Sequence, residues 1–143
     1  MFNKDKKLLK ATNATPTFSL KDQIKKCKVV DIYDGDTCKV VFNLKDKLYK
    51  WTIRMEGYDT PEMRPPLSDP NRDNIKKLAI LSKNYLITLI NRPNQLVYIK
   101  CGGFDKYGRL LGKIYTDKKC ENCVNDIMIE KGYGKPYDGK TKK

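Results

Sequence analysis

The stretch CKVVDIYDGDTCKVVF, residues 27–42, carries two runs of β-branched and aromatic residues on either side of Asp34 and Gly35. An Asp-Gly pair between strand-like runs predicts a tight hairpin, because both central positions of a type I′ turn need positive φ. Asp36 then opens the second strand, just past the turn.

Further along, a polar turn at residues 43–47 leads into LYKWTIRM, where Tyr49, Trp51, Ile53 and Met55 alternate with Lys50, Thr52 and Arg54. Period two is the mark of a strand with one apolar face, so Arg54 belongs to the polar face. Residues 57–66 form a loop stiffened by Pro61, Pro65 and Pro66, and Ser68-Asp69-Pro70 reads as a helix start. Ile75, Leu78, Ala79, Ser82, Leu86, Leu89 and Ile90 then recur at helical spacing up to Pro93. A fourth strand, QLVYIKC, a glycine-bearing turn, GGFDKYGR, and a fifth strand, LLGKIY, follow. A short helix after Cys120 directs Val124, Ile127 and Met128 inward, with Gly132 as C-cap. Five strands with a helix between the third and fourth, and a short C-terminal helix, make an α+β, mainly β chain with the order of an OB-fold barrel.

Upstream, residues 1–24 are lysine-rich and lack sustained periodicity, an arm that docks in part through Phe18 and Leu20. Residues 25–137 form the barrel domain and residues 138–143 a basic tail. A length of 143 residues with 39% hydrophobic and 10% aromatic content supports one packed core. The net charge of +13 concentrates in the arm and in Lys135, Lys140, Lys142 and Lys143, which suits a phosphate polymer, although other acidic surfaces attract such ends too.

With no histidine in the chain, Ser/His/Asp and Cys/His catalysis and imidazole bases are excluded. Chemistry must run on carboxylates, arginine, tyrosine or a metal. Asp36, Asp59 and Glu62 are hard-oxygen groups of the kind calcium or magnesium takes, though each taken alone equally suits a turn. Arg54 and Arg109 can clamp phosphate oxygens bidentately, and each alone equally suits a surface ion pair. The five cysteines lack the spacing of a disulfide scaffold, and Cys120-Glu-Asn-Cys123 reads as a loop and helix start rather than half a zinc site. MFNKDKKLLK contains no signal-peptide core, and no run reaches the length that spans a bilayer, so the expected setting is intracellular, without a membrane.

The segments YDGDT (33–37), RMEGYDTPE (54–62) and DKYGRLLGKIY (105–115) resemble, in order and spacing, those of staphylococcal nuclease-like (thermonuclease) proteins. The resemblance runs over about residues 27–137. It implies a calcium-dependent endonuclease, a hydrolase acting on DNA and RNA with little sequence preference and leaving 3′-phosphates. It further implies Asp36, Asp59 and the Thr60 carbonyl as calcium ligands, with Glu62 orienting or deprotonating water. Arg54 and Arg109 match the phosphate-binding arginines, and Tyr107, with Lys106 beside it, a substrate contact. Tyr137 is a looser candidate for a second nucleotide-contacting tyrosine. Glu56 stands where the family usually has an aliphatic residue, and the family's long C-terminal helix has no counterpart before Lys143. Expected partners are single-stranded or unwound nucleic acids, and the expected state is a monomer. The competing reading is a catalytically silent OB-fold nucleic-acid-binding module. Because every matched catalytic position is filled, the enzyme is the preferred reading.

Overall fold

The computed structural model describes residues 3–94 and 96–137. Five strands close a barrel, β1 (Ile24–Asp34), β2 (Thr37–Leu44), β3 (Lys47–Met55), β5 (Val97–Phe104) and β6 (Leu110–Tyr115), in the order β1-β2-β3-β6-β5. Helix α2 (Arg72–Ile90) lies between the third and fourth barrel strands in sequence, and α3 (Val124–Glu130) follows the fifth. A small ladder of β4 (Tyr58–Asp59) with β7 (Lys135–Pro136) ties the C-terminal segment to the loop beyond β3. The architecture is the mainly β OB-fold barrel that the strand order predicts. A short exposed helix, α1 (Asn3–Leu9), precedes it, where the sequence showed no periodicity. Among the described residues no helix is long and apolar enough to cross a membrane.

The barrel interior is filled from alternate positions of four strands, Cys38, Val40 and Phe42 of β2, Ile53 and Met55 of β3, Val97, Ile99 and Cys101 of β5, and Leu110 and Ile114 of β6, and from Cys27 and Ile32 of the irregular β1. Leu86 and Ile90 of α2 and Val124 and Met128 of α3 complete this core. Leu20 of the arm docks, fully buried, whereas Phe18 remains 55% exposed, its ring 6.4 Å from that of Phe104 between centroids. The thiols of Cys27, Cys38 and Cys101 are free and buried, and desolvation pushes them well above their usual range. Such thiols stay protonated and inert.

The first hairpin forms with different turn chemistry from that expected. Asp34 pairs with Thr37, so Gly35 and Asp36 are the turn residues, and neither Asp34 nor Gly35 has positive φ. Glycine is needed at 35 for space: a Cβ there would stand 2.8 Å from the Cβ of Ser82 and 2.9 Å from Cγ2 of Thr60. The positive-φ pair of a type I′ turn occurs instead between β2 and β3, at Lys45 (φ 52°) and Asp46 (φ 68°). Asn43 supports it by accepting the Asp46 N–H at 2.9 Å. Helix α2 begins two residues later than Pro70, because Asp69 accepts the N–H of Asn71 at 2.8 Å in a local turn. Leu78, expected on its core face, is 46% exposed. The fourth barrel strand runs on through the two glycines to Phe104, and Gln95, its expected first residue, lies outside the described residues, as do Lys140, Lys142 and Lys143.

Closure of the barrel rests on a short parallel seam, with Ile53 opposite Leu110, Arg54 opposite Leu111 and Met55 opposite Gly112. Gly112 has no room for a side chain, since a Cβ would stand 2.6 Å from Cδ1 of Ile99. Fully buried Asn125 of α3 reinforces the seam. Its Oδ1 accepts the Ile114 N–H at 2.9 Å, while its Nδ2 donates to the carbonyls of Glu56 at 2.8 Å and Gly112 at 3.1 Å. Asn125→Ala removes the side-chain partner of the Ile114 N–H and of the Glu56 carbonyl, while the Gly112 carbonyl keeps the Glu56 N–H, and each unsatisfied buried group costs about 1–3 kcal/mol. The expected loss is about 3 kcal/mol in total, read as a lower urea midpoint with an unchanged slope. An unchanged midpoint would remove Asn125 from the seam.

Candidate active site

Three loops and strand ends meet at one end of the seam. The β1–β2 turn brings Asp36, the end of β3 brings Arg54, and β4 with the loop after it brings Asp59, Thr60 and Glu62. Twice in β1 the register against β2 slips by one residue, at Val30 and at Tyr33, and the second slip adjoins Asp34. Such irregularities re-aim side chains at functional edges.

Asp36 is buried and densely supported. Its Oδ2 accepts the Thr60 N–H at 3.1 Å and the Thr60 hydroxyl at 3.0 Å, and its Oδ1 accepts the Thr37 hydroxyl at 3.0 Å. The carbonyl of Asp36 accepts the N–H of Met55 at 2.8 Å, which locks the turn to the end of β3. Desolvation alone would raise the Asp36 carboxyl. Hydrogen bonding with Asp34, the Arg54 charge and the two threonine hydroxyls outweigh it and hold the group below its usual range. Asp34 takes the opposite course: burial, the shared proton with Asp36 and the charge of Asp36 push it up to about 7. In the sequence Asp34 reads only as a turn former.

Arg54 leaves the polar face of β3 and folds back over its own loop. Its NH1 donates to the carbonyls of Met55 at 3.0 Å and Tyr58 at 2.9 Å, and NH2 meets Oδ1 of Asp59 at 3.0 Å. Oδ2 of Asp36 lies 3.5 Å from NH1, so one guanidinium stands between the two aspartates. Its Cζ also sits over the ring of Tyr137, 5.9 Å from the centroid. Tyr137 is held there by the β4–β7 ladder and by its own N–H, which donates to Gly57 at 2.9 Å. Beneath the turn, the buried Tyr58 hydroxyl donates to the Gly35 carbonyl at 2.7 Å. Tyr58 was not singled out in the sequence, where an apolar ring beside a buried carboxylate reads as ordinary core.

Arg109 belongs to a second group, on the β5–β6 turn. Asp105 organises it, with Oδ2 accepting Nε of Arg109 at 2.8 Å and Oδ1 accepting the N–H groups of Tyr107 and Arg109, both at 2.9 Å. Tyr107 is 72% exposed, with the Lys106 ammonium 5.2 Å and the Arg109 guanidinium 5.4 Å from its ring centroid. Because Leu111 lies opposite Arg54, the seam sets Arg109 close along the strands from Arg54, yet no ion pair joins the two groups among the described residues. Glu62 is exposed and likewise has no ion-pair partner among them. It stands on the wall of a cleft of about 1210 Å³, which Asp59, Thr60 and Tyr137 also line.

Burial alone would raise the Asp105 carboxyl, but the backbone and side-chain hydrogen bonds from Arg109 and the N–H of Tyr107 hold it below its usual range. A lowered folded value contributes stability that is present above the unfolded value of about 4 and lost as pH falls through the folded one. The melting-temperature gap between the parent chain and Asp105→Asn is therefore expected to be full at pH 6 and to shrink below about pH 4. A gap independent of pH would show that shape, not charge, holds this turn.

Cys123 is the N-cap residue of α3, and Cys120, at φ 58°, lies in the preceding turn, both with free thiols. Among the described residues no three Cys, Asp or Glu side chains are arranged to hold a metal ion.

A sequence model of the family described as staphylococcal nuclease homologue matches residues 52–143. Endonuclease YncB of Bacillus subtilis (strain 168) is 35% identical over 115 residues, covering 76% of this chain and 48% of that protein. Endonuclease YhcR of the same organism is 30% identical over 113 residues, covering 76% of this chain and 9% of its own length. The chain thus spans about half of one relative and a small part of the other. The match covers well over half of the chain and includes the end of β3, the loop with Asp59 and Glu62, and the β5–β6 turn, and on that ground the chain belongs to the staphylococcal nuclease homologue family.

Proposed function

We propose that the chain is an endonuclease that hydrolyses phosphodiester bonds of DNA and RNA with calcium as its cofactor, cutting single-stranded or unwound regions with little base preference. The observation that supports this most is the gathering of Asp36, Asp59 and Thr60 around the Arg54 guanidinium at a cleft whose wall presents Glu62. The names of the two Bacillus relatives point the same way.

The donor set suits a hard divalent ion. Two carboxylates, Asp36 and Asp59, face one guanidinium, and Asp34, which burial pushes up to about 7, lies beside them. Asp36 and Asp59, with the carbonyl of Thr60, are the groups that would hold it. When bound, such an ion polarises a phosphoryl oxygen and lowers the pKa of a bound water.

The chain's own residues carry the remaining work. Thr37 and Thr60 fix the rotamer of Asp36, and the carbonyls of Met55 and Tyr58 fix Arg54, so the site is oriented before substrate arrives. Glu62 takes a proton from the water that attacks phosphorus in line. The bond to the 5′ oxygen breaks, leaving a 3′-phosphate. Arg109, aimed by Asp105, meets the phosphoryl oxygens as negative charge grows on them, with Arg54 opposite. Tyr107, Lys106 and Tyr137 contact the flanking nucleotides.

Denatured DNA and RNA are expected to be cut with calcium and not with chelator, magnesium being the comparison. Glu62→Gln, Arg54→Ala and Arg109→Ala are each expected to lower turnover by about a hundredfold or more. A variant within tenfold of the parent would lose its assigned role. No cutting with any metal, alongside salt-sensitive binding, would favour the silent binding module.

A further inference from the structure

The cleft reaches well beyond the groups that chemistry at phosphorus requires. Asp59, Thr60 and Glu62 are part of its lining, and so are Leu78 and Leu81 of α2. These leucines are 46% and 53% exposed, on a helix whose other face is buried in the core. Tyr133 lines the same cleft. One face of its ring is stacked on Tyr85, with centroids 4.3 Å apart and planes 20° from parallel, and its carbonyl accepts the Ser82 hydroxyl at 2.8 Å. The ring is thereby held in place before any ligand arrives. Lys135 lines the cleft as well, a cation in a lining that joins these apolar and aromatic groups to the carboxylates of Asp59, Glu62 and Asp69.

We infer that this cleft is a base-binding subsite, in which an unpaired nucleobase next to the scissile phosphate packs on Leu78 and Leu81 beside the immobilised Tyr133 ring. The inference rests on the nuclease reading for the phosphate's position and deepens it. The occupant follows from continuity: whatever chain delivers a phosphate to Asp59 and Glu62 must pass the mouth of the cleft, and its flat apolar group is the base. Aromatic and apolar surfaces hold bases without regard to sequence, because every base has a π-face. A base inside a duplex is stacked and paired and cannot enter, so the subsite confers a preference for unpaired strands without any hydrogen-bond readout.

The test is binding of fluorescently labelled oligothymidylate, against an abasic oligomer of the same length, to the whole chain in chelator. The parent chain is expected to hold the base-bearing strand about tenfold more tightly. Leu78→Ser/Leu81→Ser, which alters two half-exposed side chains and should leave the melting temperature unchanged, is expected to narrow that ratio to less than about twofold. Equal binding of the two strands by the parent would overturn the subsite. So would a double variant that keeps the full ratio, since bases would then be held elsewhere on the surface. Adding calcium to the same samples reads cleavage separately. Discrimination without cutting would sink the nuclease reading and leave the subsite standing, whereas cutting without discrimination would do the reverse.

Discussion

The seam between β3 and β6 is the constraint on which both the barrel and the site depend. Every other neighbouring pair of barrel strands is antiparallel and longer, whereas this one is parallel and joins only the ends of its strands. Parallel pairing is slightly weaker per residue, so a side chain that bonds to the backbone on both sides of it matters more than usual. Asn125 does this from α3, reaching Glu56 at the end of β3 and both Gly112 and Ile114 of β6. Glu56 meets Gly112 directly as well, its N–H donating at 2.9 Å. Position 56 therefore serves the seam through its backbone, which any side chain could supply. The same seam sets the register of Arg54 against the start of β6, and with it the approach of the Arg109 turn.

Electrostatics then shape the far end of the seam. Burying Asp36 carries a desolvation cost, which hydroxyl, amide and guanidinium donors offset from several directions. Those donors come from β2, from β3 and from the loop after β4, so the carboxylate acts as a clasp between segments distant in sequence. Asp34, whose Oδ1 accepts the Asp36 N–H at 3.0 Å, is pushed up to about 7 by burial and by Asp36. The result is a pocket whose internal hydrogen bonds fix its geometry.

Much of this was legible in the residues. Alternation in LYKWTIRM separates Ile53 and Met55 from Arg54, and burial of the first two follows that pattern. The fifth barrel strand has the extent expected for it. Three motifs in register implied a shared site for Asp36, Asp59 and Thr60, which no local pattern could have done, since their meeting depends on barrel closure. Elsewhere local signals misled. Asp34-Gly35 carries the composition of a type I′ turn, yet glycine is there because Ser82 and Thr60 crowd it, a tertiary fact. Lys45 and Asp46 adopt positive φ without glycine, because the paired strands on either side impose it. Asn125 on a short helix reads as a surface residue until the backbone groups of β3 and β6 are seen around it. Leu78 satisfies the helical period and still faces a cleft, since periodicity reports which way a side chain points and not what stands opposite.

Trp51 sits three residues before Arg54 on the same strand but on the other face. Its ring is stacked on Phe42 at 4.7 Å with planes 5° apart, and its indole N–H is buried without a hydrogen-bond partner. It is the chain's single tryptophan. Its emission is therefore a built-in gauge of barrel integrity, because unfolding separates its ring from that of Phe42 across the β2–β3 pair.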